Sequence, residues 1–533
     1  MKNTIVLILL ILTNVIMANP EAVKFRDMAA EDLHNEKYKE AQRSIQSALN
    51  IELKKYGAES PEAARSQLLH SRIMFYNGNY TGAVNTAKSA LNILGRKYGE
   101  NSPEAAQAGI VLADLFFKTG EMVKCEATAG KSLAIFDKTK SNDSGKILAA
   151  GLLAKIYSLK NQNKQALKYL NSVSGIIKPD SSEKLEWLKA AGAVYAGNRD
   201  FAKAVNNAEA AIKLAKKMYG GKSLHCALAE KSLAEVYVAE KKYTEAQKIL
   251  PDIAQVIIDK VGTNHLLTVE MMILRGNVFM REGKIKHSSI LLINATDRLE
   301  KMLPESNFIT ALAMFYSGQL NAAQKSFDAA ELELQYAVKA FMRQLGTDNL
   351  MVAACCNELS IIALQRKDYK RAVAYAKRMQ ELYLKLEGTD DPATAAAWRN
   401  LGFMYTRANL LDNAAKAYIS ALKIYGGKNK DEAGAAVICA ELSALYGKME
   451  NKEKCREYCL KALELVKKSA LSAQKKAMIY YLCSFSYYTE GDYTKAYDLV
   501  YEAKKVIIKT KGSSHPSVKS YDQVLKMIDS KRH

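Results

Sequence analysis

Gly78-Asn79-Tyr80-Thr81-Gly82-Ala83 recurs, loosely, along the whole chain. Aligned at the Ala83 position, the recurrences put Ala41, Ala83, Cys125, Ala166, Ala204, Ala246, Ser288, Ala330, Ala372, Ala414, Cys455 and Ala496 in one column. The spacings are 42, 42, 41, 38, 42, 42, 42, 42, 42, 41 and 41 residues. Twelve residues earlier stand Ala29, Ser71, Ala113, Ala154, Gly192, Ala234, Gly276, Gly318, Ser360, Gly402, Ser443 and Ser484. Every member of both columns is small. A small residue on each of two antiparallel helices lets the backbones approach and interlock.

The larger residues fit around these columns. Aromatics follow the earlier column by three in most units, as at Phe116, Tyr157, Tyr195, Tyr237, Tyr405 and Tyr487. Others precede the later column by three, as at Tyr38, Tyr80, Phe201, Tyr243 and Tyr369. Spacings of 3, 4 and 7 place residues on one helix face. Ser60-Pro61-Glu62 and Ser102-Pro103-Glu104 read as a cap, a first-turn proline and an acid at the positive helix end. Asp391-Pro392 and His515-Pro516 occupy matching positions. Helix stops precede them at Tyr56-Gly57, Tyr98-Gly99, Leu345-Gly346 and Glu387-Gly388. Each unit is helix A, a turn, helix B and a linker.

With 533 residues the chain exceeds one compact core, and a repeat array accounts for the length. Its 49% apolar and 25% charged residues suit a folded chain, and its 8 Pro suit helix. The net charge of +21 fits an anionic partner or many lysines on solvated helix faces. Met1-Lys2-Asn3, the apolar run Thr4 to Met17 and Ala18 before Asn19-Pro20 read as an export signal. The expected organisation is a signal peptide over 1–18, twelve repeats over 19–511, and a capping helix and tail over 512–533. The expected destination is the periplasm or the exterior; an uncleaved anchor is the other reading of the same residues.

Trp398-x-x-Leu401-Gly402-x-x-Tyr405, followed by Ala414 and Ala421, resembles the tetratricopeptide-repeat signature. The period of about 42 and the Tyr-Gly-x-x-Ser-Pro linker are similar to the kinesin-light-chain subclass of that family. The resemblance runs from residue 21 to about 511. It implies an all-α fold, a right-handed α-solenoid of about twelve helix-turn-helix units, and a protein–protein interaction role. Two units depart from the pattern. The spacing shrinks to 38 around Pro179-Asp180, and the eighth unit has Asn321 in place of the aromatic, with Pro304 before it. Both are expected bends.

In that family helix A lines a concave groove. The matching positions here are Arg26, Arg72, Lys155, Lys189, Lys231, Asn277, Asn357 and Arg399, with Arg65, Arg281 and Arg407 close by. Such donors would hold the acidic side chains or terminal carboxylate of an extended peptide, with Asn on its backbone. Ordinary exposed charge is the competing reading. In the last repeats Tyr481, Phe485 and Tyr488 also fall at groove positions, as an aromatic pocket or as core.

Catalytic and cofactor motifs are not found. None of the 7 His has metal-ligand spacing, and there is no phosphate loop, dinucleotide glycine pattern or nucleophile elbow. No enzyme activity, cofactor, metal or nucleic-acid partner is expected. Cys125 and Cys455 sit in the small column, so packing accounts for them; a Cys459–Cys483 disulfide and free thiols both fit. The expected function is an exported scaffold binding a partner protein or peptide, an acidic one among the candidates, in the groove. The alternative is an envelope-associated structural protein held to anionic lipid or wall polymer by its charge.

Overall fold

A computed structural model describes residues 19–141, 143–304, 306–427 and 431–532. The expected export signal lies outside the described residues. No described helix is long and apolar enough to cross a membrane. The described residues form 25 α-helices. The A helices are α1 (Pro20–His34), α3 (Pro61–Tyr76), α5 (Pro103–Lys118), α7 (Asp143–Leu159), α9 (Ser182–Gly197), α11 (Leu224–Ala239), α13 (Leu266–Arg281), α15 (Phe308–Ala323), α17 (Leu350–Gln365), α19 (Pro392–Arg407), α21 (Glu432–Lys448) and α23 (Ala473–Glu490). The B helices are α2 (Tyr38–Tyr56), α4 (Tyr80–Tyr98), α6 (Met122–Thr139), α8 (Asn163–Ser172), α10 (Phe201–Tyr219), α12 (Tyr243–Val261), α14 (Ile285–Met302), α16 (Phe327–Leu345), α18 (Tyr369–Glu387), α20 (Leu411–Tyr425), α22 (Lys452–Lys468) and α24 (Tyr493–Lys511). The last helix is α25 (Pro516–Arg532). This is an α-solenoid.

Both small columns are buried throughout. Where they meet, the backbones nearly touch. Ser288 Oγ donates to the Gly276 carbonyl at 2.8 Å, and Ser443 Oγ donates to the Cys455 carbonyl at 2.8 Å. A Cβ on Gly318 would stand 3.3 Å from the Ala330 carbonyl oxygen. Glycine in the first column leaves room for a large neighbour: Leu292 lies over Gly276, Leu334 over Gly318 and Tyr418 over Gly402.

The turn between helices A and B repeats as strictly as the columns. Glu36, Gly78, Gly120, Asn161, Arg199, Lys241, Gly283, Lys325, Lys367, Asn409, Glu450 and Gly491 all have positive φ. Each stands five residues before its small B-helix residue. The expected caps also form. Ser60 and Ser102 accept from the amides of Ala63 and Ala105, and Asp391 accepts from Ala393. The shortening to 38 comes out of α8, which has 10 residues where most B helices have 18 or 19. In the eighth unit the Asn321 amide and Ser317 hydroxyl both donate to Glu333, a polar clasp in place of the aromatic.

The chain divides into two compact units, Met1–Val352 and Ala353–His533. Within the first, contacts join repeats that stand five apart. Glu36, in the first A–B turn, accepts from the Leu224 amide at 2.6 Å and pairs with Lys260 at 2.7 Å. In the second, the Phe75 carbonyl and Tyr80 hydroxyl meet the start of α13: His265 Nε2 donates to the carbonyl at 3.0 Å, and the Leu266 amide donates to the hydroxyl at 2.7 Å. In the third, the Gly120 carbonyl accepts from the Phe308 amide at 2.9 Å. Turns of repeats 1, 2 and 3 thus cap the A helices of repeats 6, 7 and 8. Two apolar clusters run under this seam, one joining Ile45 and Ile73 to Leu250 and Met271, the other Leu115 and Leu153 to Ile273 and Leu299.

The second unit has no such closure among its described residues. Its core is shared between sequential helices, and α25 buries Val518, Leu525 and Ile528 at its end. Lys519, Lys526 and Asp529 stay exposed and Asp522 pairs with Lys504. All eight cysteines are free and buried. Cys459 and Cys483 face one another, each thiol 3.7 or 3.8 Å from the other's carbonyl oxygen.

Gly120 and Gly283 share a backbone conformation but not surroundings. A Cβ on Gly283 meets nothing within 4 Å, whereas one on Gly120 would lie 3.1 Å from the Ile309 amide nitrogen. Gly283→Ala should cost about 1 kcal/mol for the positive φ alone. Gly120→Ala should cost clearly more in denaturant melts; equal costs would mean the seam is not closed in solution.

Candidate site on the inner faces of the A helices

Consecutive A helices pack side by side, as α3 on α5, α5 on α7 and α7 on α9. The positions three before and one past the first small column are those expected to line a groove. In the first unit these faces are polar and the cations on them are largely neutralised. Arg26 pairs with Glu52 at 3.6 Å. Lys231 bridges Glu235 and Glu270 at 3.0 and 2.7 Å. Lys155 and Lys189 share Glu186 at 3.7 and 2.6 Å. Burial opposes ionisation of Glu186, yet Lys189 and Lys155 hold its carboxyl well below the usual range. Burial also pushes the Lys155 ammonium down, and Glu186 only partly restores it. Asn277 is 3% exposed and its side-chain oxygen has no hydrogen-bond partner among the described residues.

Arg65 donates to the Tyr98 hydroxyl at 3.1 Å and Arg281 to Gln319 at 3.0 Å. Arg72 differs. It is exposed and makes no ion pair among the described residues. It lies in electrostatic range of Lys118 and Tyr219. Lys118, unforeseen from sequence, pairs with Asp114 at 2.8 Å and sits 5.2 and 5.4 Å above the Phe75 and Tyr76 rings.

The second unit presents another kind of inner face. Ile361, Phe403 and Phe485 hold the same position, one residue past the small column, in α17, α19 and α23. They are 39%, 42% and 40% exposed. Tyr481 is also exposed and leans on Tyr521, while Tyr488 packs edge-on against Tyr493. Phe485 closes over Gly447, where a Cβ would meet its ring at 2.7 Å. Arg399 forks onto Glu441, with Nε 2.9 Å from Oε2 and Nη2 2.5 Å from Oε1. Asn357 accepts from Asn400 at 2.7 Å. Arg407 is exposed and makes no ion pair among the described residues.

A family model for the tetratricopeptide repeat matches residues 357–426. The kinesin light chain-related protein 2 of Arabidopsis thaliana is 21% identical over 285 residues, which are 52% of this chain and 43% of that protein. Residues 357–426 are tetratricopeptide repeats, and the chain around them is similar to a protein of the kinesin-light-chain type. The RxLR effector protein SFI4 of Phytophthora infestans is 22% identical to this repeat array over 228 residues, 42% of this chain and 66% of that protein. The secreted RxLR effector protein RXLR-C07 of Plasmopara halstedii is 22% identical over 230 residues, 42% of this chain and 70% of that protein. In fold, the repeats superpose on a chain of the APC/C hetero-tetramer Cut9–Hcn1 with a TM-score of 0.50 at 13% identity, over 96% of each chain.

What sequence reading missed at this site are the counter-ions and the seam. The partners of the seam lie 186 to 190 residues apart. One signal was present: His265 stands in the column where other A helices carry Ser, Asn or Asp caps. Its Nδ1 accepts from the Leu267 amide at 3.2 Å while Nε2–H serves Phe75, so the ring is neutral. Burial lowers its pKa from 6.5 to about 4. The unfolded chain binds this proton near pH 6.5 and the folded seam refuses it, so stability is full above that pH and drains down to about 4. The loss is about 3 kcal/mol at the lower end. His265→Asn keeps a capping oxygen but removes this titration, and its melting temperature should fall less between pH 7 and 4 than the parent's. Parallel falls would remove His265 from the acid sensitivity.

Proposed function

We propose that this chain is an exported scaffold and that the inner face of its second unit receives a segment of a partner protein. The carrying observation is the row of Ile361, Phe403 and Phe485, exposed in one register across three A helices. Apolar side chains of the partner would cover the row, and an acidic side chain or terminal carboxylate would meet Arg407. A repeat array supplies the protein-binding role in general. Arg399 and Asn357 act within the face as a framework, since Glu441 and Asn400 already occupy their polar groups. In the first unit a partner's acid would displace Glu186, Glu270 or Glu52 to reach Lys155, Lys189, Lys231 or Arg26.

Export rests on the apolar run Thr4 to Met17 before Ala18. Cleavage there leaves Asn19 as the first residue, and Asn19 caps α1 through the Glu21 amide at 2.9 Å. One relative is by name a secreted effector. N-terminal sequencing of protein recovered outside the cytoplasm should read Asn-Pro-Glu-Ala; a Met1 start would contradict cleavage.

Selection of random displayed peptides against the full chain should enrich apolar residues flanked by Asp or Glu. Phe403→Ala and Arg407→Ala should each weaken the selected peptides by roughly tenfold. Leu332→Ser, at an apolar residue 71% exposed on a B helix, should leave them unchanged. Peptides lost with Leu332→Ser and kept with Phe403→Ala would place the binding face elsewhere.

A further inference from the structure

We infer that the inner face of the first unit holds a separate site for a small phosphate dianion, free or as a monoester, centred on Arg72. Four cations stand on four successive A helices, Arg72 on α3, Lys118 on α5, Lys155 on α7 and Lys189 on α9, each within electrostatic range of the next. Among the described residues two carboxylates pair with them, Asp114 on Lys118 and Glu186 on both Lys155 and Lys189. Two positive charges remain unmatched. Lys118 and Lys155 also sense one another and Asp114, so the groups act as one cluster. The side chains of Lys155 and Lys189 are only 19% and 15% exposed. Surplus charge in so covered a place is costly, and a bound anion relieves the cost.

The chemistry selects the ligand. The cluster offers donors only, and Arg72 brings an unpaired planar fork suited to two oxygens of a tetrahedral oxyanion. A dianion matches the surplus of two, whereas one carboxylate leaves half of it standing. A phosphate monoester is mostly doubly charged above its second pKa of about 6. Arg72 is exposed, so the site opens to solvent on the side where its donors are free. This site shares no residue with the apolar row of the second unit, and stands or falls without it.

The test is titration calorimetry on the full chain at pH 8 with inorganic phosphate, O-phosphoserine and, at matched ionic strength, sodium chloride. Saturable one-to-one binding of inorganic phosphate, with no such signal from chloride, is the expected result. Tighter binding of O-phosphoserine would assign the site to a monoester, and equal or weaker binding to the free ion. Arg72→Gln removes an exposed group without a partner, so its melting temperature without phosphate should not change; its affinity should fall roughly tenfold or more. Glu186→Gln raises the surplus to three and should tighten binding, a change that damaged folding does not produce. Absence of saturable phosphate binding, or an Arg72→Gln affinity equal to the parent's, overturns the assignment.

Discussion

How closely helix A approaches helix B within a unit controls everything else in this protein. Two columns of small residues, twelve positions apart in sequence, bring the backbones near enough for Ser288 and Ser443 to donate to carbonyls on the facing helix. That approach fixes the turn between the helices, and all twelve turns then need one left-handed residue. Only four of the twelve are glycine, so the conformation is imposed by packing and tolerated by Asn, Lys, Arg and Glu at modest cost. With helix pairs alike, stacking buries a continuous apolar layer, and the A helices are left to line the inner face.

Repeat arrays ordinarily draw stability from neighbours alone. The first unit departs from that rule. Its superhelix closes within about five repeats, so turns of repeats 1 to 3 reach the helix starts of repeats 6 to 8. Side chains and carbonyls from a distant turn satisfy amides that every helix leaves unpaired at its start. Glu36 is the clearest case: burial works against its ionisation, yet hydrogen bonds from His225 and Lys260 hold the carboxyl below its ordinary range. In the same unit the inner cations of repeats 3 to 5 meet carboxylates, Asp114 on Lys118 and Glu186 shared by Lys155 and Lys189. Among the second unit's described residues no closure covers the face, and the row from Ile361 to Phe485 stays open to solvent.

Much of the fold was legible because its determinants are periodic. Small columns, Ser-Pro caps and the Trp398 to Tyr405 signature fix the register without knowledge of tertiary contacts. Placing Cys125 and Cys455 by packing follows from the same columns. The site was legible only by position. Arg72 and Arg407 make no ion pair among the described residues, but nothing local told them apart from Lys155 or Arg399, whose carboxylates come from other helices. Glu186 and Glu441 lie 31 and 42 residues from the cations Lys155 and Arg399. The seam partners are farther still, and one sequence carries no record of such pairs.

The central claim is that the first unit is closed on itself, with inner-face chemistry that follows from the closure. Hydrogen exchange on His265→Ala tests it most directly, because the ring touches two segments remote in sequence. The account predicts faster exchange both in α13 and across the Phe75 to Tyr80 turn, five repeats away, with repeat 4 little changed. Faster exchange confined to α13 and its sequence neighbours would contradict it, leaving an ordinary open array.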